Sequence, residues 1–214
     1  MRRALPWILA AVFLVGFVAS FSELQRMRKR FGEVSQHTFH DHAEVREFMI
    51  RAALAEAAAP IVVLGDSVTE MAPLPRQLCG HPVVNAGVGG QTIQEASRLA
   101  ARLLKDPAFL VALTVGANDI GSSTAQRDFG ELIDTVKTLS TRPPVVAAVA
   151  DALTNVAIGA AAAARAVQFV DPELPSGSKM TDGKHFTATG YKTWLPALEA
   201  AISKECGTLI AGPN

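Results

Sequence analysis

The sequence predicts an α/β fold built around a parallel sheet, and two patterns support this prediction. Short runs of β-branched and other apolar residues recur along the chain, as expected for strands buried on both faces of a sheet. Segments with apolar residues every three or four positions separate these runs and are typical of amphipathic helices. Strands that alternate with helices in this way form a parallel sheet with helices on both sides.

The predicted strands and helices follow one another in order after Pro60. The strands cover residues 61–64, 83–85, 109–115, 145–150 and 167–170. The helices cover residues 92–104, 124–139 and 155–166, and Thr187 caps a last helix. Several polar residues lie just beyond strands, at the sheet edge where open α/β folds bind ligands. This edge is therefore where we expect the chemistry.

Length and composition favour one domain with an appendage. The chain has 214 residues, of which 49% are hydrophobic and 19% charged, so it can bury a substantial core. Acidic and basic residues balance at 20 each, and basic residues do not alternate with aromatic ones. Neither feature favours nucleic acid as a partner.

The first residues differ from the rest of the chain. Arg2 and Arg3 precede an apolar run over residues 4–21, which is nearly long enough to cross a bilayer. We expect residues 1–22 to form a transmembrane anchor, with the α/β domain in the periplasm or outside the cell. The alternative is a signal peptide that is cleaved near Val18-Ala19-Ser20, which would leave a secreted protein.

The remaining chain is predicted to form three parts: a helical stalk over 23–59, the α/β domain over 60–206 and a tail over 207–214. The stalk contains His37, His40 and His42, which we interpret as part of a polar linker rather than a metal site. Cys79 and Cys206 are the only cysteines. A disulfide between them would fit an extracytoplasmic domain, and two free buried thiols fit the sequence equally well.

Four short motifs contain residue types that acyl transfer requires. Ser67, in Gly65-Asp66-Ser67, offers a nucleophile behind a turn-forming glycine. Asp182 lies three residues before His185, a spacing that allows the carboxylate to orient the imidazole as a base. Gly90 could donate a backbone N–H, and Asn118 a side-chain N–H, to the oxyanion of a tetrahedral intermediate.

The order of these motifs resembles that of the SGNH hydrolases, also called GDSL-type esterases. The similar blocks are Gly65-Asp66-Ser67, the segment 85–92 with Gly90, Gly116-Ala117-Asn118-Asp119, and Asp182-x-x-His185. Val68 replaces the leucine of the GDSL name. The resemblance implies a three-layer, flavodoxin-like α/β/α domain without a metal or organic cofactor. It also implies Ser67, His185 and Asp182 as the catalytic triad, and the Ser67 and Gly90 N–H groups with the Asn118 amide as the oxyanion hole.

The expected function is hydrolysis of a short acyl ester, such as an O-acetyl group, on a carbohydrate or small envelope substrate. Because a compact domain leaves little room for a deep lid, cleavage of long-chain lipids is less favoured. Lysophospholipid or thioester cleavage and acyl transfer to a sugar remain alternatives. A non-catalytic binding or assembly module is the alternative of another class, and the sequence does not predict an oligomeric state.

Overall fold

The computed structural model describes residues 5–36, with side chains for 12–29, and residues 41–207. The chain divides into two compact units, Met1–Asp41 and His42–Asn214. The described part of the first unit is one helix, α1 (Leu5–Gln36). This helix runs through the expected boundary between anchor and stalk at residue 22.

The expectation of a transmembrane helix is wrong for the part of the chain that the structure describes. No helix there is both long enough and apolar enough to cross a bilayer. The physical reason lies in the sequence of α1, because Glu23, Arg26, Arg28 and Lys29 follow the apolar residues within the same helix. Among the residues described with side chains, 12–29, the apolar stretch before Glu23 is much shorter than the roughly 20 residues that a membrane span requires.

The second unit is built on a six-stranded sheet with the strand order β2-β3-β1-β4-β5-β6. The strands are β1 (Ile61–Gly65), β2 (Gln77–Leu78), β3 (His81–Gly87), β4 (Leu110–Thr114), β5 (Val145–Ala147) and β6 (Gln168–Val170). All neighbouring pairs are parallel except β2 with β3. Without this antiparallel edge strand, the order is that of the flavodoxin-like doubly wound sheet.

Helices cover both faces of this sheet. They are α2 (His42–Glu56), α3 (Ser67–Glu70), α4 (Ile93–Leu103), α5 (Ala125–Thr138), α6 (Ala152–Ala163) and α7 (Ala188–Glu205). Every residue of β1 and β4 is buried, so the centre of the sheet is protected on both sides. The expected α/β domain with a mostly parallel sheet is therefore confirmed.

Strand β5 is shorter than the predicted strand over 145–150 because polar groups bind the backbone that follows it. The Asn155 side chain donates to the Val149 carbonyl and accepts from the Val149 N–H, both at 2.9 Å. The indole of Trp194 donates to the Ala148 carbonyl at 2.9 Å. These bonds occupy the Ala148 carbonyl and both backbone groups of Val149, while the Ala148 N–H still donates to the Val170 carbonyl at 2.8 Å. An apolar run in the sequence does not reveal such bonds.

Cys79 and Cys206 form a disulfide that links the segment after β2 to the C-terminal end of α7. The sequence left this pairing open. The bridge closes a loop across a sequence separation of 127 residues, so it restricts the unfolded chain over most of the second unit.

Loss of this disulfide is expected to destabilise the protein. Replacing both cysteines with serine should lower the free energy of unfolding by about 3 to 5 kcal/mol, because the unfolded chain regains loop entropy. Urea unfolding of the wild type with and without reductant, beside the double variant without reductant, would measure this difference. Equal urea midpoints in all three samples would contradict the prediction.

Candidate active site

Ser67 lies at the carboxyl end of the central strand β1, as the first residue of α3. A Cβ at Gly65 would collide with the side chains of Thr69 and Thr114, so this turn needs glycine for close packing. The Tyr191 hydroxyl also donates to the Val68 carbonyl at 2.6 Å. The turn is thus fixed from two sides and holds the serine at the sheet edge.

Asp66 ties this turn to the loop after β4. Its Oδ1 accepts from the Val68 N–H at 3.0 Å, and its Oδ2 accepts from the N–H groups of Gly116 and Ala117 at 3.1 and 2.9 Å. Burial raises the pKa of the Asp66 carboxyl, and the three N–H donors oppose this shift. This role of Asp66 was not predicted from the sequence, although the residue lies inside the first motif.

Ser67, His185 and Asp182 form one continuous hydrogen-bonded chain. The Ser67 Oγ is 2.7 Å from the Nε2 of His185, and the Nδ1 of His185 is 2.6 Å from the Oδ2 of Asp182. The Oδ1 of Asp182 accepts from the backbone N–H groups of Lys184 and His185. The structure therefore brings together three residues from two segments that lie 118 residues apart.

The charge of Asp182 is stabilised by its neighbours. Its hydrogen bonds with the His185 ring and with the backbone of residues 184 and 185 hold the pKa of the Asp182 carboxyl well below its usual range. An ionised carboxylate accepts the Nδ1–H of His185, so the Nε2 is left to accept a proton from Ser67. This arrangement suits general-base activation of the serine hydroxyl.

The loop over residues 88–91, here called the oxyanion loop, follows β3 and contains Gly90. Gly90 has a positive φ of 78°, which glycine adopts without strain. The Nδ2 of Asn118 donates to the carbonyl oxygen of Gln91 at 3.0 Å, so the segments that carry the two predicted donors are in contact. One N–H of the amide makes this bond, and the same nitrogen carries a second hydrogen.

Three residues around the oxyanion loop were not recognised from the sequence. Glu70 and Arg46 form an ion pair, with 3.4 Å between Oε1 and Nε, and His42 lies 3.0 Å from the other oxygen of Glu70. Residues 23–59 were expected to be a stalk, so side chains from that segment were not considered for the site. For Glu70 the sequence did contain a signal, namely its position one helical turn after Ser67.

An apolar groove with a volume of about 760 Å³ lies next to the segments that carry Ser67 and His185. It is bounded by the segment after the Ser67 helix, by residues on either side of the Asp182–His185 loop, and by α7. Its lining includes Met71, Pro73, Met180, Phe186, Tyr191 and Leu195. The apolar side chains could receive the hydrocarbon part of a substrate.

Within residues 5–36 and 41–207, no cluster of three His, Cys, Asp or Glu side chains could hold a metal ion. His42 belongs to the Glu70 contact described above. His37 and His40 lie outside the described residues.

Comparisons with known proteins assign the chain to a family. The GDSL-like Lipase/Acylhydrolase family model matches residues 63–193, which is more than half of the chain. The chain therefore belongs to this family, the SGNH hydrolases, and is an enzyme that hydrolyses ester bonds. A comparison with curated proteins finds no match.

Solved structures share the fold at low sequence identity. A Streptococcus pneumonia protein, provisionally named a platelet activating factor, is 18% identical with a TM-score of 0.55, over 85% of this chain and 99% of that one. A carbohydrate acetylesterase family member from Sinorhizobium meliloti is 16% identical with a TM-score of 0.52, over 70% and 100% of the two chains. A lipolytic G-D-S-L family protein from Veillonella parvula is 18% identical with a TM-score of 0.50, over 72% and 100%.

Proposed function

We propose that the protein is a serine esterase that removes a short acyl group, such as acetyl, from a carbohydrate or small envelope substrate. The observation that carries this proposal is the connected chain from Ser67 through His185 to Asp182. A hydroxyl, an imidazole and a carboxylate joined at these distances make up a nucleophile, its base and the group that orients the base.

The reaction begins when the Ser67 Oγ attacks the ester carbonyl and passes its proton to the Nε2 of His185. The new oxyanion is stabilised by the N–H groups of Ser67 and Gly90 and by the Asn118 amide. His185 then protonates the leaving alcohol, and the acyl group stays on Ser67. Water attacks this acyl-serine with His185 as base, which releases the acid and restores the serine.

The choice of a carbohydrate ester is supported by two observations. The fold is shared with a carbohydrate acetylesterase family member. In addition, Ser67 and His185 are partly accessible at the sheet edge, so an ester on a bulky sugar could approach them. The disulfide supports a further proposal, that the enzyme works in an oxidising compartment outside the cytoplasm.

A panel of p-nitrophenyl esters of increasing chain length, together with acetylated sugars, would test the proposal. We expect kcat/KM to be highest for acetyl esters and acetylated sugars to be deacetylated. Inclusion of a sugar acceptor would detect acyl transfer in place of hydrolysis. Hydrolysis of none of these esters by folded protein would overturn the proposal.

The apolar groove favours a second candidate, the cleavage of a lysophospholipid or thioester with a longer chain. The groove includes Met71 and Met180, whose side chains are partly exposed and flexible enough to pack around a hydrocarbon chain. For this candidate kcat/KM should rise with acyl length across the same panel, and Met180→Ser should reduce the preference for long chains.

Asn118→Ala is expected to lower kcat by about 10²-fold, with a smaller change in KM, because the amide acts on the oxyanion of the transition state. Steady-state kinetics on a p-nitrophenyl ester would measure both constants. Gln94→Ala is the matched control, since it removes an exposed side-chain amide that donates to Asp128 at 3.0 Å. An unchanged kcat in the Asn118 variant would remove this residue from the oxyanion hole.

A further inference from the structure

We propose that Glu70 is a positioning residue that fixes the oxyanion loop, and that Arg46 and His42 of α2 hold Glu70 in place. This inference rests on the proposed function, because the loop matters only if Gly90 stabilises an oxyanion. It extends the active site to a helix that precedes the family-matched region, which begins at residue 63.

The contact between Glu70 and the loop is direct. The Gly89 N–H donates to the Oε2 of Glu70 at 2.7 Å, a short bond to a carboxylate at the residue before Gly90. A Cβ at Gly89 would lie 3.3 Å from this oxygen and 3.5 Å from the Nε2 of His42, so glycine permits this close approach. Glu70 also belongs to α3, the helix that begins with Ser67. One side chain thus couples the nucleophile's helix to the loop.

Helix α2 contacts both the Glu70 carboxylate and the backbone just before the oxyanion loop. The guanidinium of Arg46 donates to the Gly87 carbonyl, at 2.8 Å from Nη2 and 3.0 Å from Nε, and lies 3.4 Å from the Oε1 of Glu70. The Nε2 of His42 is 3.0 Å from the Oε2 of Glu70. The side chains of Arg46 and Glu70 are 15% and 19% exposed, so water screens their attraction less than at an open surface.

The other side of the loop is held independently. Asn118 donates to the Gln91 carbonyl, and the Gln91 N–H donates to the Val88 carbonyl at 3.2 Å. Gly90 therefore lies between two restrained residues, Gly89 and Gln91. No heavy atom lies within 4 Å of the position that a Cβ on Gly90 would take, so packing on the Cβ side does not hold Gly90 in place. The direction of the Gly90 N–H consequently depends on its two neighbours, and Glu70 restrains one of them.

Glu70→Ala tests this inference through kinetics. We expect kcat to fall by about 10- to 100-fold with little change in KM, because a displaced oxyanion donor weakens transition-state binding more than substrate binding. Glu70→Gln keeps an oxygen that can accept the Gly89 N–H, so its kcat should fall by roughly 5-fold or less.

Arg46→Ala should reproduce part of the Glu70→Ala effect. Glu47→Ala is the matched control, since Glu47 lies on the same helix but pairs with Arg51 and Arg102. Labelling of Ser67 with a fluorophosphonate separates the two proposals. If the wild type neither labels nor hydrolyses esters, the proposed function fails. If the wild type is active and Glu70→Ala keeps its kcat, or if Glu70→Gln loses as much as Glu70→Ala, the positioning role is overturned.

Discussion

Ser67→Ala is expected to abolish ester hydrolysis, with kcat lowered by about 10⁴-fold or more. In the proposed mechanism the Oγ of Ser67 forms the acyl bond, and it lies 2.7 Å from the nitrogen that would take its proton. Alanine removes this atom and leaves the backbone N–H at the end of β1. Substrate binding and the oxyanion donors should therefore survive, so KM should change far less than kcat.

The variant should also lose covalent labelling by a fluorophosphonate, which reacts with activated serines. Ser97→Ala is the matched control, because Ser97 is a partly buried serine on α4 whose hydroxyl makes a long contact of 3.4 Å with Thr135. Full activity in Ser67→Ala would contradict the serine mechanism. Wild-type protein that is folded but neither labels nor hydrolyses esters would instead favour a binding or assembly module.

The sequence was most informative where chemistry requires particular residue types at the ends of strands. Ser67, Asn118 and the Asp182–His185 pair were placed on separate segments, and parallel pairing of β1 with β3 and β4 brings the ends of these strands together. Buried strands were equally clear, since a run such as 61–64 has no polar residue to place on a solvent face. Such features are local, so a single sequence can reveal them.

Tertiary contacts outside the four motifs were not predicted. The role of Glu70 is visible only once α2 is packed near the loop, because nothing in residues 42–56 indicates a contact with Gly87 or Gly89. The early end of β5 depends on the Asn155 side chain. The membrane-span prediction failed for a related reason: it judged the apolar run over 4–21 in isolation, whereas the described helix continues through charged residues to Gln36.

Asp182→Asn is expected to lower kcat by about 10³- to 10⁴-fold near neutral pH. The carboxylate now accepts the Nδ1–H of His185, with 2.6 Å between Oδ2 and Nδ1. An asparagine can keep its oxygen on the backbone N–H groups of Lys184 and His185, which turns its amide N–H₂ towards the ring. The Nδ1 of His185 must then accept a hydrogen bond from this amide, so the ring proton moves to Nε2. With its Nε2 protonated, the histidine can no longer take the proton of Ser67.

Kinetics of Asp182→Asn, with thermal unfolding as a check on the fold, would measure this effect. Asp171→Asn is the matched control, since it makes the same change at an exposed aspartate. The side chain of Asp182 is 46% exposed, so water can reach the ring in part, and this is why the lower limit is about 10³-fold. A kcat within about 10-fold of the wild type would mean that the tautomer of His185 is set by another contact, because the wrong tautomer alone costs more than this.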